Sequence, residues 1–159
     1  MGLVDKVLRV GREWQGNYNF SVELEGVLVA QFKSCSGLGV TVDQVEYRSG
    51  TDAWTRKRPG RTKYKNIILK RGVMLWGHDS MWKWVQKTIE GKTQRKSGSI
   101  VLRDDRMLEW GRFNFFEAWP CRWQGWKLDG EGNGTVIEEI ELACERIERF
   151  PIPGPGAIL

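Results

Sequence analysis

An antiparallel β-sandwich or barrel carrying one helix is the fold class this sequence predicts. Three observations predict it. Apolar residues recur at every second position in several separate runs, the period of half-buried strands. Gly, Pro and acidic turn residues punctuate those runs at short intervals. One segment alone, 79–90, carries a helical apolar stripe. The expected inventory is mainly β, about eight strands with one helix covering an open face or end of the sheets.

The elements follow in order. Residues 1–16 read as an N-terminal extension, with Leu3, Val4, Val7, Leu8 and Val10 in a short apolar run broken by Gly11 and Gly16. From Asn17 to Leu24, Phe20, Val22 and Leu24 take one face and Asn19, Ser21 and Glu23 the polar one. Glu25-Gly26 is a tight-turn signal, and 27–34 continues as one strand with Leu28, Ala30 and Phe32 inward. Gly37 and Gly39 interrupt the chain before a strand at 40–49. Its apolar phase slips between Val42 and Val45, which predicts a bulge or a change of sheet.

A long basic segment follows, expected to protrude as a hairpin over 48–66 that turns at Pro59-Gly60. Residues 66–75 read as a strand with Ile67, Leu69, Val73 and Leu75 in phase. Arg71 lies on that same side, so it either pairs or marks a contact surface. In the helix, Met81, Trp82, Val85 and Ile89 are expected to face inward. Lys83, Gln86, Lys87 and Glu90 face out, Asp79 or Ser80 caps the start, and Gly91 ends it. A hairpin of 99–103 with 107–116 turns at Asp104-Asp105-Arg106. Ala118-Trp119-Pro120 reads as a break, 122–128 as a further strand, and 135–147 as the last long one. Trp119 and Trp123 are expected in the core. The segment 151–159 (PIPGPGAIL) reads as an extended, flexible tail. One domain, 17–150, contains all the regular structure.

The chain has 159 residues, 40% hydrophobic and 28% charged, the profile of a globular domain large enough to bury its own core. Nine tryptophans favour core edges and interfaces, where the indole N–H finds a partner. Net charge is +5 and unevenly placed. Nine Lys or Arg residues lie between Arg48 and Arg71 against one acid, Asp52, whereas Val136 to Glu148 holds five glutamates and one base, Arg146. Two readings stay open: the patches pair within one molecule, or they meet head to tail between copies.

Catalytic chemistry is not asked for by any motif. His78 is the only histidine and suits a capping or surface role. Cys35, Cys121 and Cys144 lack metal-ligand spacing and read as reduced thiols of a cytosolic product. No catalytic residue, metal or cofactor is expected, and no apolar run is long enough to cross a membrane as a helix. Asp5, Lys6 and Arg9 interrupt any leader-like run. Arg56, Lys57, Arg58, Arg61, Lys63 and Lys65 interleave with Trp54 and Tyr64, which also suits phosphate contact and base stacking. A nucleic-acid-binding β-domain is therefore the second class of reading, and an enzyme of unseen type the third.

Several stretches resemble the tail-tube (inner tube) protein family of contractile-tailed phages and contractile injection systems. They are Asn19-Phe20-Ser21-Val22-Glu23-Leu24-Glu25-Gly26, then Ser36-Gly37-Leu38 followed by Val45-Glu46-Tyr47-Arg48. Lys57-Arg58-Pro59-Gly60-Arg61-Thr62-Lys63-Tyr64 and Ile67-Ile68-Leu69-Lys70-Arg71-Gly72-Val73 are the nearest match, and Ala118-Trp119-Pro120 with 138–145 completes the order. The resemblance covers about 17–146. It implies a split β-barrel with a flanking helix, related to the secretion-system ring protein haemolysin-coregulated protein. It further implies homo-hexameric rings stacked into a rigid hollow conduit that a contracting sheath drives through a target envelope.

Implied partners are copies of the chain itself, sheath protein, spike or baseplate hub proteins and a possible lumen cargo, without membrane anchoring. Nucleic acid enters only if a phage tail conducts DNA. Assembly in a bacterial cytoplasm as part of a phage tail or tail-like particle, possibly released, is implied too. The contact residues expected are Arg48, Trp54, Arg56, Lys57, Arg58, Pro59, Gly60, Arg61, Lys63 and Tyr64 on the hairpin, with Glu139, Glu141 and Glu145 on the acidic strand. The extension, the tryptophans and the tail exceed a minimal tube subunit, which leaves a tube-initiator paralogue as the alternative to a repeating subunit.

Overall fold

The computed structural model describes residues 20–25, 27–30, 32–72, 80–103, 106, 108–132 and 136–151. The expectations for 1–16, Asn19, 73–75, His78, Asp79, Asp104, Asp105 and 152–159 lie outside these residues. Among the described residues ten strands and one helix are formed: β1 Phe20–Leu24, β2 Val27–Ala30, β3 Ser34–Ser36, β4 Val40–Tyr47, β5 Arg56–Tyr64, β6 Ile67–Gly72, α1 Ser80–Ile89, β7 Lys96–Arg103, β8 Glu109–Gln124, β9 Ile137–Ala143 and β10 Arg146–Pro151. Pairing is antiparallel throughout, in the order β2-β1-β7-β8-β9-β6-β3, with β10 also on β8. Among the described residues this path does not close into a barrel. It folds over on itself as a sandwich.

The fold-over is made by β8. Its first half pairs with β7 and β10, and its second half, Trp119–Gln124, pairs with β9. Between the halves Glu117 takes a left-handed backbone (φ 53°) and the β7 register shifts, the mark of a bulge that bends a strand. Ala118-Trp119-Pro120 therefore does not break the strand, as the sequence suggested. Pro120 is tolerated because the β8–β9 register shifts immediately after it, where the missing N–H is not needed. The stretch expected as one last strand is two, β9 and β10, because each follows a different half of the bent β8. The expected strand 27–34 is likewise split, and its two pieces sit at opposite ends of the path.

The alternation places Val22, Ile100 and Phe115 from one layer against Ile67, Leu69, Ile140 and Leu142 from the other in one buried cluster. Gly98 lies where β1 and Phe115 approach most closely. A Cβ there would clash with the Glu23 carbonyl and the Phe115 ring, so only glycine lets these strands meet. Helix α1 covers this core through Met81, Trp84 and Val85, and the Trp84 indole donates to the Gln94 carbonyl at 2.7 Å. The inward stripe is thus 81-84-85 rather than 81-82-85-89. Ile89 stands 73% exposed in the last turn, and Trp82 packs on Trp123 with ring centroids 4.6 Å apart. Trp123, expected in the core, is exposed. Gly91 (φ 77°) ends the helix as expected, with Lys92 N–H donating to the Lys87 carbonyl at 2.8 Å, a Schellman closure.

The polar face of β1 is not simply wetted. Ser21 is buried, and Glu23 accepts from Arg103 (3.3 Å) and Arg112 (3.1 Å), which also grips Glu109 at 2.8 Å. The hydrogen bond from Arg112 holds the Glu109 carboxyl below its ordinary range.

Candidate assembly interface

Strands β4 and β5 form a sheet of their own, separate from the sandwich. The hairpin leaves the body at Gly37, whose backbone is left-handed (φ 84°). Gly39 N–H donates to the Gly37 carbonyl at 2.8 Å, and Lys65 N–H closes the root on the Gly39 carbonyl at 3.0 Å. A Cβ on Gly37 would lie inside the van der Waals shell of the Asn66 carbonyl oxygen. Gly37→Ala therefore combines a forbidden φ with a backbone clash. We expect it to lower the melting temperature by several degrees, about 2–4 °C for each kcal/mol lost in a domain of this size, measured by circular dichroism. An unchanged melting temperature would show that the root relaxes freely.

At the far end the turn is 48–55, not Pro59-Gly60. Asp52 organises it: its carboxylate accepts from Arg56 Nε (3.0 Å), Arg56 Nη2 (2.9 Å) and Ser49 N–H (3.1 Å), and Arg48 Nε reaches the Asp52 carbonyl at 3.4 Å. Pro59 and Gly60 lie inside β5. The register there shifts between Val42 and Gln44, so Gly60 and Arg61 together oppose Asp43. This is the bulge that the apolar phase slip predicted. It also explains why a proline is accepted, since β5 is an edge with an irregular ladder.

Register then fixes the faces. Val40, Val42, Thr62 and Tyr64 share one side, and Val45, Tyr47, Arg56 and Arg58 share the other. Both sides are open to solvent: Val40 is 55% exposed, Tyr47 46%, and Trp54 at the tip 71%. The hairpin's charges partly cancel locally, through Lys63–Asp43 at 2.9 Å and Lys57–Glu46 at 3.5 Å. Arg58 lies over the Tyr47 ring at 5.6 Å, and among the described residues neither it nor Arg61 has an acid partner. The arm therefore presents a separate apolar strip on each face and two uncompensated guanidinium groups. A strand pair with no buried face cannot derive its order from its own domain's core.

The structure brings together Arg48, Trp54, Arg56, Lys57, Arg58, Pro59, Gly60, Arg61, Lys63 and Tyr64 on this arm. It places Glu139, Glu141 and Glu145 elsewhere, on the sandwich, and already paired. Glu139 is held by Lys70 (3.2 Å) and Arg122, Glu141 by Arg122 (2.9 Å) and Asn66 (2.8 Å), and Glu145 by Arg95. The acidic strand is thus paired within the molecule with cations of its own chain. The sequence reading did not single out Val40, Val42, Val45 and Tyr47 as exposed apolar residues of the arm. Their signal was present in the phase slip: apolar side chains on alternate faces of one strand leave no face for water.

A second incomplete surface lies on β8. Residues 119–124 pair with β9 on one side, and among the described residues no strand pairs with the other side. Beside that edge runs a groove of about 250 Å³ lined by Trp82, Val85, Ile89, Trp119 and Trp123. No cluster of His, Cys, Asp and Glu among the described residues could hold a metal ion, and no described helix is long and apolar enough to cross a membrane.

The fold as a whole has counterparts among solved structures. The sheath–tube complex of an extracellular contractile injection system, PVC, in its extended state contains a chain with 24% identity and a TM-score of 0.82. The match covers 96% of this chain and 99% of that one. The tube-terminating cap of the anti-feeding prophage matches at 26% identity and TM-score 0.81, over 89% and 93% of the two chains. The sheath/tube terminator of PVC matches at 26% and 0.79, over 87% and 99%. No curated protein sequence is a significant match. The family model described as T4-like virus tail tube protein gp19 matches residues 16–148, the sandwich with its arm up to the middle of β10. The chain belongs to that family of structural tail-tube proteins, the inner-tube components of phage tails and contractile injection systems.

Proposed function

We propose that this chain is the repeating subunit of an inner tube, six copies to a ring and rings stacked into a hollow conduit that a contracting sheath drives through a target envelope. The observation that carries this reading is the β4–β5 arm, exposed on both faces and lacking any core of its own. The open edge of β8 supports it, since an unpaired strand invites addition of a neighbour's strand and is a liability otherwise. In the ring, lateral edges join copies. In the stack, the arm reaches the adjoining copy, its apolar strips supplying holding energy and Arg58 and Arg61 orienting the approach.

A repeating role is favoured over an initiator by coverage. With 96% of the chain matched by a component of a sheath–tube complex, about six residues are left over, so most of the extension and tail has a counterpart there. Assembly takes place in the bacterial cytoplasm, on a baseplate hub and inside a sheath. Negative-stain microscopy of the purified full chain tests the proposal: rings or tubes about one subunit thick are expected at high concentration. A persistent monomer that instead retards DNA in a salt-sensitive manner would replace it with the nucleic-acid reading.

A further inference from the structure

Two strand edges of this fold are complementary to each other. On β8, residues 119–124 pair with β9 on one side, and among the described residues nothing pairs with the other side. Pro120 sits near the start of that stretch, so residues 121–124 keep all their N–H groups. The groove beside the edge is walled by Trp82, Val85 and Ile89 of α1 and by Trp119 and Trp123. An incoming strand would satisfy the free backbone groups, and the groove would take every second side chain of that strand.

The free edges that the chain itself offers decide which strand fits. Among the described strands, β2 and β3 span four and three residues, short for this edge. β5 carries five cations and Pro59, which has no N–H to give; charge and proline are what keep an edge from pairing. β10 ends in Pro151 and holds Arg146 and Arg149, like in sign to Arg122 on the β8 edge. β4 has eight residues and no proline, and its only charges, Asp43 and Glu46, are opposite in sign to Arg122. Before its bulge it carries Val40 and Val42 on one face, both exposed.

We infer that the free edge of β4 at Val40–Val42 adds to the 119–124 edge of a second copy, with Val40 and Val42 seated in that copy's tryptophan groove. This rests on the tube reading and deepens it by naming the strand that joins copies within the ring. The contact is heterologous, since each copy offers the strand at one place and the edge at another. It therefore propagates from copy to copy instead of ending at a pair. The bulge between Val42 and Gln44 then divides the arm: the root side builds the ring, and the part beyond it, with Val45, Tyr47 and Arg58, is left for the stack.

Cross-linking tests the contact, with Cys121 as a native reporter. This exposed thiol lies beside Asn66 and Glu141, on the face of its layer turned away from the core. Thr41 points to the opposite side of β4 from Val40 and Val42, so in the added strand it too is turned away from the groove. Full chains carrying Thr41→Cys, with and without heavy isotope, are mixed at high concentration and treated with a short bismaleimide, and linked peptides are mapped by mass spectrometry. A 41–121 link that joins a light copy to a heavy one is expected. Adding Val40→Asp and Val42→Asp should lower its yield about tenfold, because a carboxylate would have to enter an apolar groove. The melting temperature should stay within a few degrees, since both valines are exposed in the free subunit. Rings that form without the 41–121 link overturn this contact and leave the tube reading standing, with another strand on the β8 edge. A link confined to single copies, or one whose yield the aspartates leave unchanged, overturns the contact equally. A chain that forms no ring at any concentration overturns both.

Discussion

Changing Arg58→Glu and Arg61→Glu together abolishes tube formation while leaving the subunit folded. The arm over 40–64 carries six cations and three acids, a net +3, and this pair of changes takes it to −1. The choice of residues follows from the pairing. Arg56 is clamped on Asp52 and Lys57 on Glu46, so reversing those would also set like charges against each other inside the hairpin and loosen the tip. Arg58 and Arg61 have no acid partner among the described residues, so their reversal changes chiefly what an incoming copy meets. Like-charge contact at an interface costs several kcal/mol, and a ring repeats it at every copy. Sedimentation and negative-stain microscopy should show a monomer or an isolated ring, with a melting temperature within a few degrees of the parent. Tubes of ordinary length from this double variant would remove the arm from the stacking contact. Reversing Arg56, Lys57 and Arg58 together would be a blunter test, because loss of tubes there would confound assembly with folding.

What could be read from the sequence was local and periodic. Val22, Leu24, Ile67, Leu69, Ile140 and Leu142 alternate in their strands and are buried. The slip between Val42 and Val45 marked a real bulge, and Gly91 a real helix stop. Errors concentrate at proline. Pro59 and Pro120 each read as an end of structure, yet both lie inside strands, at register shifts where no ladder bond is asked of them. Proline breaks a strand only where its missing N–H would have been used, and that depends on a neighbour distant in sequence. Which of the two readings of the acidic strand holds inside the molecule was illegible for a related reason. Glu139 meets Lys70 and Arg122, 69 and 17 residues away, a cancellation that only the fold brings about. Trp82 and Trp84 differ by two positions, and their fates were decided by which face of α1 meets the layers.

Loss of Arg71 should be the most destabilising single change on the core-facing side of β6. Arg71 is 5% exposed, between the buried Leu69 and the strand's end, and it faces Glu138 directly across the β6–β9 ladder. The two form an ion pair, and the guanidinium lies 6.0 Å from the Phe32 ring centroid. Such a pair contributes little net stability compared with apolar side chains of similar volume. Removing one member is different, because the other charge stays behind with little water to solvate it. Arg71→Leu is therefore expected to cost about 3–5 kcal/mol. In a domain of this size that is roughly a 10 °C fall in melting temperature. Arg71→Leu with Glu138→Leu should recover at least half of the loss, and the coupling from the double-mutant cycle should exceed about 1 kcal/mol. The pair also fixes the β6–β9 register at the end of β6 away from the root of the arm, which joins at Ile67. A weakened register there should raise hydrogen exchange along β6 before it does so along β7. Equal and additive single-mutant effects, or a loss under 1 kcal/mol for Arg71→Leu, would mean that water reaches the pair and that the register is held by the aliphatic ladder alone.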